Sequence, residues 1–302
     1  MKNYETAVIG HISEDINTDH EGNTVRILGG AVLFATAAAG ALGHKVAAIT
    51  KAAPEDALRR GSLLIPAEDV YFREEARSTS IMNRYLTADK ERRICKCVSQ
   101  GESFGIGDLP ADLTAKIYHF AGLIYGDFPD ELIKYCAGKG DIALDVQTCL
   151  RHADPESGDM YFEDWKSKQE MLPYVRYLKT DAAEAEIMTG TDDRKEAAKL
   201  LFSWGAKEIL ITHNTEVLAY DGKKMYVCPI RARNLSGRTG RGDTTFSAYI
   251  NERLGNDVPS SLLTATALVS LKMETPGQFR GTRADLDRYV AELYADRPVR
   301  EI

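Results

Sequence analysis

Asp243 follows Gly237, Gly240 and Gly242 in the stretch RNLSGRTGRGDTTFSAYINERL (residues 233–254), and Phe246, Ile250 and Leu254 recur behind it at intervals of four. That interval predicts a helix with one apolar face, opening at the aspartate. Unpaired amides at a helix N-terminus, helped by the helix dipole, attract anions, and glycines let those amides approach a phosphate without obstruction. A carboxylate in the same place would repel the phosphate unless it takes part in the chemistry, as acceptor of a proton from an attacking hydroxyl. Without chemistry, the same residues read as a glycine-rich turn with an aspartate N-cap. A third reading, an Arg-Gly-Asp adhesion triplet, is disfavoured by an acidic chain whose N-terminus shows no secretion signal.

Such a helix needs a scaffold, and the chain alternates strand and helix signals along most of its length. Residues 6–10 read as a buried strand ending at glycine, 31–42 as a helix of small side chains stopped by Gly43, and 45–50 as the next strand. Between them, 13–28 is a polar, irregular excursion. Residues 69–104 alternate polar and apolar side chains with period two, with a turn signal at Ala88-Asp89-Lys90, and predict a hairpin-like insertion with one wet face. From 116 onward the alternation resumes: strands at 116–122, 141–147, 175–179 and 207–212, helices between them, and a hairpin with Asp221-Gly222 at its two-residue turn. The chain from 243 is mostly helical. This predicts an α/β fold, a mainly parallel central sheet with helices on both faces, forming one domain over 1–302 with a small β-rich lid from 13–28 and 69–104. Ligands in such folds bind beyond the carboxyl ends of the strands.

Composition narrows the partners. A net charge of -7 over 302 residues argues against broad nucleic-acid binding and against anionic membrane surfaces, so a small anionic ligand would need a locally positive pocket. No segment approaches a membrane span. The five cysteines, at 95, 97, 136, 149 and 228, form no CxxC pair or zinc-ligand spacing and read as small apolar side chains in a reducing cytoplasm, the expected location. There is no GxxxxGK[ST], and Gly10-His11-Ile12-Ser13 is not GxGxxG, so neither a P-loop nor a dinucleotide fold is supported. His119 and His213 read as structural, Trp165 and Trp204 as packing, and Lys272 as a solvated lysine. Arg151, at a strand end after Asp145 and Gln147, is placed to neutralise phosphate charge.

TGRGDT (239–244) resembles the TGAGDT signature of the ribokinase-like (PfkB) carbohydrate kinases, with Arg241 replacing alanine. GGAVLFATAAAGALG (29–43) is similar to that family's N-terminal glycine-pair signature, GHISED (10–15) to its substrate-holding strand end, DVQTCLR (145–151) to a D-x-N-x-x-R-like strand end, and DAAEAEIMTG (181–190) to its N-x-x-E segment. The five matches run in family order over nearly the whole chain. The resemblance implies transfer of the γ-phosphoryl of ATP to a hydroxyl of a small sugar or polyol, with a nucleoside kinase or a non-catalytic sugar or nucleotide sensor as alternatives. It implies Asp243 as base, with Gly240, Arg241 and Gly242 forming the anion hole. Asp15, Gly29, Gly30, Phe34 and Arg151 fall on the acceptor side, and Asp181, Glu184, Thr212 and Asn214 on the nucleotide side. No direct protein ligand to metal is implied: Mg²⁺ would ride on the nucleotide phosphates, with Glu184 reaching it through water. Three positions depart from the family pattern: Phe34 stands where many members carry asparagine, Asp181 replaces the asparagine of N-x-x-E, and Asn214 replaces the glycine of T-x-G. The aromatic in the glycine-pair helix, the STSIMNRYLTADKERR insertion and the TGRGDT signature together make the chain look more like the inositol-kinase-like and uncharacterised branches than ribokinase proper. Val70, Phe72, Ile81 and Ile94 would give the lid an apolar face for a homodimer.

Overall fold

The computed structural model describes residues 1–87 and 92–302, with the backbone alone at 57–60; the turn expected at Ala88-Asp89-Lys90 lies outside the described residues. The chain runs β1 (Lys2–Ile9), β2 (Ser13–Thr18), β3 (Thr24–Gly29), α1 (Ala31–Ala41), β4 (Val46–Ala52), β5 (Val70–Glu74), β6 (Thr79–Tyr85), β7 (Arg93–Ser99) and β8 (Leu113–Phe120). It continues with α2 (Asp130–Ala137), β9 (Asp141–Asp145), α3 (Gln147–Leu150), β10 (Arg151–Ala153), β11 (Met160–Phe162), α4 (Lys168–Met171), β12 (Val175–Asp181), α5 (Ala182–Thr189) and α6 (Arg194–Ser203). The last elements are β13 (Glu208–Thr212), β14 (Glu216–Tyr220), β15 (Met225–Pro229), α7 (Arg241–Glu252), α8 (Val258–Met273), α9 (Arg283–Leu293) and β16 (Arg300–Glu301).

Ten strands form one sheet in the order β16-β15-β14-β13-β12-β9-β8-β1-β4-β5. The seven from β13 to β5 are parallel, and β14, β15 and β16 add an antiparallel edge. Both faces of the parallel part are buried, so its strands read as nearly continuous apolar runs. Alternate residues feed two cores. Ile142, Leu144, Leu178, Ile209 and Ile211 pack with α2, α5 and α6, whereas Ala143, Tyr177 and Leu210 face α7, α8 and α9. The small side chains of α1 let it lie close to α7, close enough for the Ser247 hydroxyl to donate to the Ala35 carbonyl at 2.7 Å.

The lid is a four-stranded sheet in the order β3-β2-β6-β7. Residues 13–28, expected to be irregular, instead make the regular hairpin β2–β3; their polarity fits strands whose side chains are accessible on both faces. Residues 70–74, expected in the lid, pair with β4 at the edge of the main sheet, so Val70 and Phe72 do not lie on the lid. Alternation alone cannot say which sheet a strand joins. The β10–β11 hairpin docks on the lid edge, the Cys97 amide donating to the Gly158 carbonyl at 2.8 Å. At the β14–β15 hairpin the Asp221 amide bonds the Lys224 carbonyl, so the two-residue tip is Gly222-Lys223, one residue beyond the expected position; Gly222 takes the positive φ of 85°.

Candidate active site

The carboxyl ends of β1, β9, β12 and β13 open toward the lid, and the first turn of α7 faces them. Gly240 caps α7 in the left-handed region, at φ 76°. A Cβ there would lie 2.2 Å from the Phe34 ring, so both the backbone angle and the space require glycine. Phe34 is 4% exposed and packs its ring against Gly240 and under the Lys272 ammonium, 5.0 Å from the ring centroid. Phe34, expected on the acceptor side, thus also supports the glycine loop. Lys272 is not solvated. It is 1% exposed and donates to the carbonyls of Gly237 (2.7 Å) and Thr239, which staples the loop to the end of α8. Burial pushes its pKa down to about 8, against the pull of Asp243.

Asp243 lies in this first turn. Burial, and then the nearby Asp145 charge, push its carboxyl up to about 6, opposed by Lys179, Arg151 and Lys272. The Arg241 amide turns back to the Arg238 carbonyl at 3.3 Å, so the first-turn amides left for an anion are those of Gly242 and Asp243. The Arg241 guanidinium reaches across to the Asn214 amide oxygen at 2.8 Å, on the exposed rim beyond β13.

Lys179, near the end of β12, is a central residue that spacing gave no reason to select. Its ammonium bonds both carboxylate oxygens of Asp145, at 3.1 and 3.0 Å, and lies 3.7 Å from Glu184. A Cβ on Gly242 would sit 3.1 Å from it, so the ammonium lies directly against the glycine turn. Burial alone would lower its pKa; Asp145, then Glu184, Asp181 and Asp243, hold it above the ordinary lysine value. Glu184 is pushed up to about 7 by burial against the pull of Lys179. Asp181 and Glu184 also form the capping box of α5, each carboxylate accepting from the other's amide at 2.8 Å. Thr212 is buried at the end of β13, its hydroxyl 3.5 Å from the Thr180 carbonyl. Of the four residues expected on the nucleotide side, only Asn214 is exposed.

At the other end, Asp15 stands on β2 above the glycine pair. A Cβ on Gly29 would lie 2.6 Å from its carboxylate, and one on Gly30, whose φ is 109°, would lie 2.3 Å from the His11 carbonyl. Ser13 donates to Asp15 at 3.0 Å; burial raises the Asp15 pKa, against the pull of Ser13, Arg151 and Arg93. Arg151 is buried and donates from Nε to the Leu123 carbonyl at 2.7 Å. It acts electrostatically on both Asp15 and Asp243, and so joins the two ends of the cleft. His119 is buried against Phe246 with its pKa pushed down to about 3 by burial. His213 pairs locally with Thr215.

No cluster of three potential metal ligands occurs among the described residues, nor does any helix among them have the length and apolarity to cross a membrane. The family model for pfkB carbohydrate kinases matches residues 65–281. The fold is similar to a solved pyrophosphate-dependent kinase of the ribokinase family complexed with a pyrophosphate analog and myo-inositol (33% identity, TM-score 0.83, covering 94% of this chain and 99% of the other). It is also similar to a pyrophosphate-dependent myo-inositol-1 kinase converted into a myo-inositol-3 kinase by replacing an asparagine and a serine with leucine (32% identity, TM-score 0.84, covering 96% and 99%). A cytidine kinase of Thermococcus kodakarensis is 26% identical over 255 residues, 82% of this chain and 87% of that one.

Proposed function

The chain belongs to the pfkB family of carbohydrate kinases, and on that premise we propose that it transfers a phosphoryl group from pyrophosphate to one hydroxyl of a cyclic polyol of the inositol kind. The observation that carries this reading is the first turn of α7, where the Asp243 carboxylate, the free amides and the Lys179 ammonium converge. In it, Asp243 takes the proton of the attacking hydroxyl. A carboxylate with a pKa near 6 is mostly ionised at neutral pH yet more basic than an ordinary aspartate, which suits a general base. The amides of Gly242 and Asp243 and the Lys179 ammonium face the transferring group and stabilise its charge. Asp15 holds acceptor hydroxyls, Arg151 neutralises charge between the two ends, and the lid keeps water from competing as acceptor.

Pyrophosphate is preferred to ATP for a physical reason beside the similarity to pyrophosphate-dependent kinases. It has no base or ribose to bury, so its binding must come from charge and hydrogen bonds. Here Arg241 replaces the usual alanine and lies across the donor end with Asn214. Mg²⁺ fits as a companion of the donor phosphates, where it would neutralise their charge; Asp145 and Glu184, already held by Lys179, would reach it through water. Exposed Leu86, Ile94 and Val98, on the lid face opposite Asp15, support a homodimer through the lid.

The test is turnover of myo-inositol with either donor at saturating Mg²⁺, followed by release of orthophosphate or ADP. Pyrophosphate should support turnover and ATP little. Faster turnover with ATP would return the donor to the nucleotide, and preference for cytidine over inositol would favour the nucleoside reading, which rests on the cytidine kinase similarity.

A further inference from the structure

Four passages of chain join the lid to the main sheet: 10–12 into β2, Gly30 out of β3, 75–78 into β6 and 99–102 out of β7. All four meet at His11. Its Nε2 donates to the Glu102 carbonyl at 3.0 Å, and its own carbonyl lies against Gly30, where a Cβ would be 2.3 Å away. The Glu102 amide donates to Glu75 at 2.6 Å, and Gly101 passes so close that a Cβ there would lie 2.6 Å from the Glu75 carboxylate and 2.9 Å from the imidazole. The His11, Glu75 and Asp127 side chains are fully buried, and Phe104 packs on the imidazole at 4.6 Å between ring centroids. Burial opposes a charge on His11, but Asp127 and Glu75 outweigh it, so the imidazole is protonated at neutral pH.

Asp127 carries the contact away from the lid. Its Oδ2 accepts from the Leu123 and Ile124 amides at 2.7 and 3.1 Å, and the Leu123 carbonyl accepts from Arg151 Nε. The Arg151 carbonyl in turn accepts from the Tyr125 amide at 2.8 Å. The loop 123–127 therefore ties the base of the lid to the guanidinium that acts on both Asp15 and Asp243. The ion cluster itself is not drawn tight. His11 Nδ1 stands 3.8 Å from Asp127 Oδ1, and Nε2 stands 3.7 Å from Glu75 Oε2, about 1 Å beyond a charge-assisted hydrogen bond. Nδ1 and Glu75 Oε1 have no hydrogen bond among the described residues. In a low-dielectric interior the attraction between opposite charges rises steeply as such a gap closes.

We propose that His11 is the pivot of the lid and that closure is transmitted through Asp127 and the loop 123–127 to Arg151, so that the site is electrostatically complete only when the lid is shut. This rests on the phosphoryl-transfer reading above and is independent of which donor or acceptor is used. As the lid swings in, His11 Nδ1 closes on Asp127 Oδ1, Asp127 draws on the Leu123 and Ile124 amides, and the Leu123 carbonyl sets Arg151 Nε. Transfer to water from an open site is then disfavoured, because Arg151 is not yet placed to neutralise the charge that develops. His11 and Asp127 touch no reactant; they are positioning residues that act through Arg151.

The experiment counts orthophosphate against inositol phosphate with pyrophosphate as donor and myo-inositol as acceptor, and ADP against inositol phosphate with ATP. Transfer from pyrophosphate gives one orthophosphate per inositol phosphate, whereas loss to water gives two and no ester. Wild type should stay at one to one. His11→Gln keeps a donor for the Glu102 carbonyl but loses the charge, and Asp127→Asn keeps an acceptor for the two amides. Each should lower kcat about tenfold or more, the worth of a charged hydrogen bond, change both KM values less than about twofold, and raise the ratio above one. The double variant should be no slower than the slower single one, since both changes remove the same link. Thermal melting identifies any variant that fails to fold. If neither folds, hydrogen exchange on wild type decides: donor and acceptor together should slow exchange of the Leu123 and Ile124 amides along with the lid strands, and protection of the lid strands alone overturns the transmission. Wild-type kcat and a one-to-one ratio in the folded single variants overturn the pivot and leave the kinase intact. If wild type phosphorylates neither myo-inositol nor cytidine with either donor, the phosphoryl-transfer reading fails and the transmission to Arg151 falls with it.

Discussion

If Asp243 is the base, its protonation should set the acid limb of the pH–rate profile. The carboxyl is held near 6 rather than at 3.8, first by burial and next by the Asp145 charge, with Lys179, Arg151 and Lys272 limiting the rise. At pH 5 about a tenth of a group with that pKa is ionised, against about nine tenths of an ordinary aspartate, so kcat/KM at pH 5 should be about a tenth of its plateau. The assay is kcat/KM for the acceptor between pH 4.5 and 8 at saturating donor and Mg²⁺, as this ratio reports the free enzyme. Two variants attach the limb to this residue. Asp243→Asn should lose turnover by about 10²-fold or more while keeping its volume. Asp145→Asn removes the neighbouring negative charge and should move the limb to lower pH. Full activity at pH 5, or a limb that Asp145→Asn leaves in place, would refute the assignment of the base and the electrostatic argument together.

Arg241→Ala should raise the pyrophosphate KM by about tenfold or more, the scale of a charged hydrogen bond, with little change in the acceptor KM; a fall in kcat alone would place the guanidinium on the transition state. Gly240→Ala should destabilise the fold by at least about 1–2 kcal/mol from its left-handed backbone, with the Phe34 contact adding to that. In urea denaturation, Phe34→Leu in the same chain should recover only the contact, and a neutral Gly240→Ala would contradict the packing described. His11, buried at the base of the lid, is pushed up to about 9 by Asp127 and Glu75 despite the opposing effect of burial. A raised histidine contributes stability that is complete below its unfolded value of 6.5 and lost as pH rises through about 9, here roughly 3 kcal/mol at most. Thermal melting should therefore fall across that window in wild type and much less in His11→Gln.

The parallel sheet, α1, α7 and the glycine turn were legible in the sequence because each is written in local terms: apolar runs of strand length, small residues at helical spacing, glycines ahead of an apolar face. The lid was legible as period-two alternation but not in its membership. Alternation records one wet face and is silent on the partner strand, so by itself it assigns 70–74 to the lid and leaves 13–28 irregular. The site divides along the same line. Asp15, Gly29, Gly30, Asp243 and Asn214 stand at motif positions, which local sequence displays. Lys179 and Lys272 carried no signal, since a lysine in a strand and one on a helix look alike whether solvated or buried. Their roles come from long-range pairing: Lys179 is kept charged by Asp145, 34 residues earlier, and Lys272 holds Gly237 and Thr239, 35 and 33 residues before it. A buried ammonium needs such partners to stay charged, so these two lysines follow from tertiary structure, whereas the arginines, carboxylates and glycines of the cleft are visible in the chain itself.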